Sequence, residues 1–299
     1  MSSELSWLQM CIGLFVLLGG LWYVRRTYEP SREGFGQKAP YVLKEGNQVY
    51  DRFYGTEYDT LYKTDAYAND DVLTILKYTH PSEETSSFLD IGCGTGSLAR
   101  SLEKQGFTVF GVDKSQDMVD IATVQAGGSE IVCADVVQDS MLYENRSFSH
   151  ILCTHFTLYE IDAKETFFRH CFHWLKSGGY LIVHVVDPER FNRIVPRSEL
   201  YSYVNADVQK INKTTMDTPR YTYENDFLEQ DDSSTWTQVE QFTSPGHVRR
   251  NERTWHMISK EDVFSLALQT GFIVHAEAAY ADDKHQSLVV FVKPLCGDH

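Results

Sequence analysis

The stretch "FLDIGCGTGSLARSL", residues 88–102, decides the fold. An apolar pair, Phe88-Leu89, meets Asp90. Glycines then alternate with other residues at Gly92, Gly94 and Gly96, and the pattern turns helical. A strand, a tight glycine turn and a helix start form the outline of a nucleotide-binding loop. Outward from it, strands are expected at 87–91, 107–113, 130–136, 149–155 and 180–187, with helices at 70–79, 97–104, 115–125 and 162–176. Continuous apolar strands alternating with helices imply a mostly parallel sheet covered on both faces.

Residues 188–257 break the alternation. They are polar and aromatic, and "STWTQVEQFTS" (234–244) alternates as a half-exposed strand does. This segment is expected to be a β-rich insert. A helix over 259–271 follows, with Ser259 as its N-cap and Gly271 as its stop, then strands at 272–280 and 287–293.

The chain has 299 residues, enough for one large domain with additions. Its formal net charge of −15 disfavours a nucleic-acid substrate, and neither Arg25-Arg26 nor Arg249-Arg250 extends into a basic stripe. The six cysteines include no C-x-x-C pair, so they read as reduced thiols. His170 and His173 share a helix face, but no third ligand is apparent and no metal is expected.

From Leu5 to Val24 no residue is charged, and Arg25 and Arg26 follow at once. Twenty residues at helical rise span about 30 Å, the hydrocarbon thickness of a bilayer. The start, Met-Ser-Ser-Glu, lacks the positive charge of a signal peptide. The reading is a single uncleaved membrane anchor with the large domain in the cytosol, on the endoplasmic reticulum or the mitochondrial outer membrane. Residues 25–47 read as a linker, and the main domain spans 48–294.

A dinucleotide loop requires G-x-G-x-x-G, and its third glycine position is Ser97 here. S-adenosylmethionine has no pyrophosphate. It needs close backbone approach and acceptors for an ammonium and hydroxyls. Asp90 closes the first strand. Asp113 closes the second, where a carboxylate can accept two ribose hydroxyls. Asp135 closes the third, and Met118 is placed to lie on an adenine face.

This order, in "LDIGCGTG" (89–96), "GVDKSQDMVDIA" (111–122), "CADV" (133–136) and "LKSGGYLIV" (175–183), resembles the class I S-adenosylmethionine-dependent methyltransferases. The resemblance implies a Rossmann-like seven-stranded sheet whose last strand is antiparallel. It also implies S-adenosyl-L-methionine as cofactor, held by Asp90, Gly92, Gly94, Asp113, Met118 and Asp135.

Tyr50, Tyr54, Tyr58 and Tyr62 recur every four residues, on one face of a helix. "VYDRFY" ahead of the glycine loop is similar to the lid helix of small-molecule methyltransferases, amino-sugar N,N-dimethyltransferases among them. That similarity implies Tyr54 near the transferred methyl. His155, after the fourth strand, is the candidate base, with Tyr159 and His256 as candidate substrate contacts. The expected activity is methyl transfer to a small-molecule nitrogen or oxygen. A lipid, thiol or quinone drawn from the bilayer is the alternative acceptor, and a cofactor-binding scaffold without activity is a third reading.

Overall fold

A computed structural model describes residues 40–62, 64–191, 213–230, 234–280 and 283–295. The anchor expected at residues 5–24 lies outside them. Among the described residues no helix is long and apolar enough to cross a membrane.

Seven strands form the main sheet: β2 (Ser87–Ile91), β3 (Thr108–Asp113), β4 (Glu130–Cys133), β5 (Phe148–Cys153), β6 (Leu175–Val186), β11 (Ile273–Tyr280) and β12 (Asp283–Val292). Their order is β11-β12-β6-β5-β2-β3-β4. The strands β2 to β6 pair in parallel, while β12 runs antiparallel to both β6 and β11. The antiparallel last strand expected from the resemblance is therefore present. The central strands are apolar along their length because both faces are covered, with Leu89, Ile151, Leu181, Val183 and Phe291 fully buried.

Seven α-helices are described: α1 (Arg52–Tyr62), α2 (Thr64–Thr79), α3 (Ser97–Glu103), α4 (Gln116–Gln125), α5 (Thr157–Glu160), α6 (Lys164–Trp174) and α7 (Lys260–Thr270). Local chemistry sets several of their ends. The Ser115 side chain accepts from the Met118 N–H at 3.2 Å, and Ser259 accepts from Asp262 at 3.1 Å. Each cap contributes about 1 kcal/mol. Gly271 stops α7 in the left-handed conformation, with φ 107°.

The expected insert is a second sheet. Strands β7 (Lys213–Asp217), β8 (Thr222–Glu229), β9 (Thr235–Ser244) and β10 (His247–His256) run antiparallel in sequence order. A fifth strand joins them: β1 (Tyr41–Glu45) pairs in parallel with β10. The expected linker over 25–47 is thus corrected at its end, because "YVLKE" supplies the backbone partners that the edge of β10 would otherwise lack.

Three other boundaries differ. The third strand stops at Cys133, not residue 136, because its only sheet neighbour, β3, ends opposite it at Asp113. Asp135 consequently sits in a turn. The helix expected over 162–176 ends at Trp174, where β6 begins, since Leu175 already pairs with Phe148. The helix expected over 70–79 starts at Thr64.

Candidate active site

Strands β2, β3 and β4 end side by side, and the glycine turn after β2 closes over them. Gly92 and Cys93 donate to the Val112 carbonyl at 2.8 and 3.1 Å. Gly92 has φ 68°, and a Cβ there would stand 2.5 Å from the Thr157 methyl, so backbone strain and contact both require glycine. Gly94 has φ 53°, and open space lies where its Cβ would be. Its N–H donates to Asp113 Oδ2 at 3.0 Å, while Asp113 Oδ1 accepts from Ser115 at 2.9 Å. One carboxylate therefore ties the glycine turn to the end of β3. Burial raises the pKa of Asp113, and these two N–H donors partly offset that. Asp90, buried beneath the turn, is pushed up to about 8 by burial and then by the charge of Asp113.

A pocket of about 310 Å³ opens above this turn. Its strand side includes Gly92, Asp113, Lys114, Asp135 and Val136, the segment after β5 adds His155, Thr157, Glu160 and Asp162, and a second wall includes Tyr50 and Tyr58. The volume is that of a small-molecule site. Four carboxylates against one lysine make it a place for a ligand carrying positive charge. S-adenosylmethionine fits this lining: the sulfonium and ammonium suit the acids, the hydroxyls suit Asp113, and Gly94 leaves room for close approach. Asp135 Oδ1 accepts from the Val137 N–H at 2.9 Å, which fixes its carboxylate at the pocket wall.

The second wall is built by a different device. The tyrosines form a continuous stripe, though Tyr50 precedes α1: rings 50 and 54 meet edge to face at 5.8 Å, 54 and 58 at 5.7 Å, and 58 stacks on 62 at 4.6 Å. Beneath it, Glu240 of β9 is fully buried and accepts from Tyr54, Tyr223 and Tyr62 at 2.9, 2.7 and 3.3 Å. Arg253 of β10 lies beside it, 3% exposed. Its guanidinium donates to Tyr50 at 2.6 Å, Tyr62 at 2.8 Å and Gln238 at 2.6 Å, and reaches Glu240 at 3.3 Å. Tyr50 in turn donates to Glu160, which borders the pocket. Burial drives the tyrosine hydroxyls upward, so they stay protonated donors.

The expected site residues separate on this geometry. Gly92, Asp113, Asp135 and His155 line the pocket, and Gly94 holds its floor through Asp113. Five others do not line it, among them Asp90, which is buried beneath the turn. Tyr54 is fully buried and turns its hydroxyl to Glu240, so Tyr50 and Tyr58 take the wall position expected of it. Met118 packs among Val49, Tyr54 and Leu61, because α1 lies across α4 at Gly55, whose missing side chain makes the room. Tyr159 is fully buried and its hydroxyl accepts from the Val186 N–H at 2.8 Å, pinning α5 to the end of β6. His256 lies 3.6 Å from Asp162 and lines an adjoining recess with Lys164 and Ser234, which shares Asp162 and Ala163 with the pocket. His170 caps a loop instead, its Nδ1 2.7 Å from the Val136 carbonyl. Among the described residues no cluster of metal-ligating side chains occurs.

Arg253, Glu240 and Glu160 escaped the sequence reading as site residues. A signal was present: in "RRNERTWH" (249–256) every second residue, Arg249, Asn251, Arg253 and Trp255, is buried. Alternation marks the inward face even where it is polar.

Residues 89–183 match the family model described as "Methyltransferase domain". A protein of Geobacillus sp. (strain WCH70) named as a methyltransferase is 34% identical over 113 residues, 36% of this chain and 44% of that protein. The ubiquinone biosynthesis O-methyltransferase of Coxiella burnetii (strain Dugway 5J108-111) is 28% identical over 103 residues, 33% of this chain and 43% of its own length. The chain thus spans less than half the length of these relatives. Among solved structures, an S-adenosylmethionine-bound amino pentose methyltransferase from Micromonospora echinaspora shares the fold. Its TM-score is 0.58 at 16% identity, over 77% of this chain and 91% of that one.

Proposed function

We propose that this chain, whose residues 89–183 form a methyltransferase domain of the class I S-adenosylmethionine-dependent family, transfers a methyl group to a small-molecule nitrogen or oxygen while anchored to a membrane. The observation that carries the reading is the Asp113 carboxylate, bonded to Gly94 and Ser115 at the wall of a 310 Å³ acid-lined pocket. Asp113 and Asp135 are the acceptors for the cofactor's hydroxyls and amino group, and Gly94 leaves the space it needs. When bound, S-adenosylmethionine supplies an electrophilic methyl group. The protein's part is to hold the acceptor in line with it and to manage one proton. Tyr50, Tyr58, Thr157 and Glu160 form the wall that orients the acceptor, and His155 takes the proton.

Anchoring rests on the uncharged run from Leu5 to Val24 and on Arg25 and Arg26 behind it, which favour a cytosolic domain. Flotation of the full chain with liposomes tests it. Recovery in the dense fraction, unchanged when residues 5–24 are deleted, contradicts it.

A quinone-type acceptor is the second reading, favoured by the match to the ubiquinone biosynthesis enzyme and by the anchor. One assay separates the two. The full chain is given methyl-labelled cofactor with amino sugars, dihydroxybenzenes and hydrophobic thiols. Label in an amino sugar supports the first reading, and label in a dihydroxybenzene or thiol supports the second. A chain that neither binds S-adenosylhomocysteine nor transfers label contradicts both.

A further inference from the structure

We propose that Asp71 is a positioning residue for His155, and that the two form a carboxylate–imidazole pair serving proton removal from the methyl acceptor. The inference rests on the methyltransferase reading and extends it to a residue of α2, outside the methyltransferase-domain match. His155 lines the pocket, and its Nε2 stands 3.5 Å from Oδ2 of Asp71. The Asp71 side chain is 2% exposed, whereas that of His155 is 20% exposed. The carboxylate is thus buried behind an imidazole that reaches the pocket. Two rings frame that imidazole edge to face: Tyr67, one turn before Asp71 on α2, at 6.2 Å, and Tyr280 of β11 at 6.5 Å. The other carboxylates of this part of the pocket are Glu160 and Asp162.

The backbone supports the same conclusion independently. His155 and Phe156 are consecutive non-glycine residues in the left-handed region, with φ 51° and 70°. Such conformations are strained and persist only where the surroundings over-determine them. The other described non-glycine residues with positive φ, His80 and Arg146, are exposed. Here the turn is held from below. The Phe156 N–H donates to His184 Nδ1 at 3.2 Å, which makes Nδ1 an acceptor. The other nitrogen, Nε2, then carries the proton and donates to Gln286 Oε1 at 3.1 Å. Both His184 and Gln286 are buried. A strained turn locked by a buried histidine delivers the His155 side chain to the pocket wall against Asp71.

The pair has a simple proton balance. His155 Nε2 and Asp71 Oδ2 face each other at 3.5 Å, an ion pair when the imidazole is protonated and not yet a hydrogen bond. Once Nε2–H donates to Asp71 in the reacting complex, Nδ1 is the basic nitrogen of His155. As the acceptor's lone pair forms the bond to the methyl carbon, the carbon–sulfur pair stays with sulfur. The acceptor's proton passes to the imidazole. The imidazolium that results lies beside a carboxylate, which favours its charged form. In the reacting complex that 3.5 Å contact closes to a hydrogen bond.

The test follows the His155 imidazole by NMR in the full chain labelled at histidine, assigned with His155→Gln, across pH. Asp71→Asn is expected to lower the His155 midpoint by about one pH unit, because the neighbouring negative charge is gone. Asp71→Glu is expected to restore most of that shift. With an acceptor from the panel above, the ascending limb of kcat/KM against pH moves down with the midpoint, and turnover falls about 10-fold or more. Calorimetry with S-adenosylhomocysteine on each variant reports whether the pocket is intact. A wild-type chain that binds it, with a midpoint that Asp71→Asn leaves unmoved, overturns the proposal alone. A wild-type chain that binds none overturns the methyltransferase reading and this proposal with it.

Discussion

The two walls of the pocket are made by opposite means. The strand side is built from backbone and short range: a glycine turn, one carboxylate that bonds Gly94 and Ser115, and strand ends that follow one another in sequence. The second side is built from side chains that come from far apart. Tyr50 and Arg253 are about two hundred residues apart and meet at 2.6 Å. Glu240, buried in β9, gathers three tyrosine hydroxyls from α1 and β8. A backbone-built wall presents the same donors and acceptors whatever lies above it. A side-chain-built wall can be refitted to another acceptor by changing a few residues, but it stands only if every buried polar group keeps its partner. The first wall suits a shared cofactor, and the second suits a substrate of its own.

The largest expected effect breaks the second wall. Arg253→Met leaves Glu240 a buried charge without its guanidinium, which costs about 3–5 kcal/mol of folding stability by urea unfolding. Adding Glu240→Gln recovers part of the loss, and a single-variant loss below about 1 kcal/mol contradicts the network's role.

The next prediction concerns Asp90, under the first wall. Its folded pKa is raised to about 8, mainly by burial. A raised acid favours the protonated fold, so its contribution is full at low pH and is lost as pH rises toward 8. Between pH 5 and 7 the wild-type chain should lose roughly 2–3 kcal/mol of stability relative to Asp90→Asn. Parallel stability curves for the two proteins would show that Asp90 is ionised in the fold.

A somewhat smaller effect sharpens the comparison directly. Asp113→Ala removes the acceptor of two backbone N–H groups, and affinity for S-adenosylhomocysteine should fall about 30-fold, or ~2 kcal/mol. The smallest is Tyr50→Phe, which deletes one hydroxyl between Arg253 and Glu160. Stability should fall by about 1 kcal/mol and the acceptor KM should rise a few-fold, with cofactor affinity unchanged. A matching loss of cofactor affinity would show that the two walls are not separate.

The same division governs how much could be read in the sequence. Gly92, Gly94 and Asp113 were legible because each acts within a short segment, at a strand end whose position the apolar run marks, and Asp135 because it lies two residues past one. The seven strands and the antiparallel last one followed from the resemblance those motifs carry. The resemblance implies Tyr54 at the cofactor, and Met118 is implied there by its place one turn into α4. Spacing does not say which side of that element faces inward, and α1 packs across α4 so that both are buried between them. Strand β1 was hidden because its three apolar residues gain meaning only beside β10. Arg253 and Glu240 in isolation look like solvated charges. Only pairing across β9 and β10 makes them interior groups.

The central claim is that the pocket above the glycine turn holds S-adenosylmethionine. Its most direct test is calorimetric titration of the full chain, in detergent micelles, with S-adenosylhomocysteine, run beside NAD as the dinucleotide control. The account predicts saturable binding at one site per chain and no heat of binding with NAD. A chain that unfolds cooperatively and binds NAD but not S-adenosylhomocysteine would contradict it.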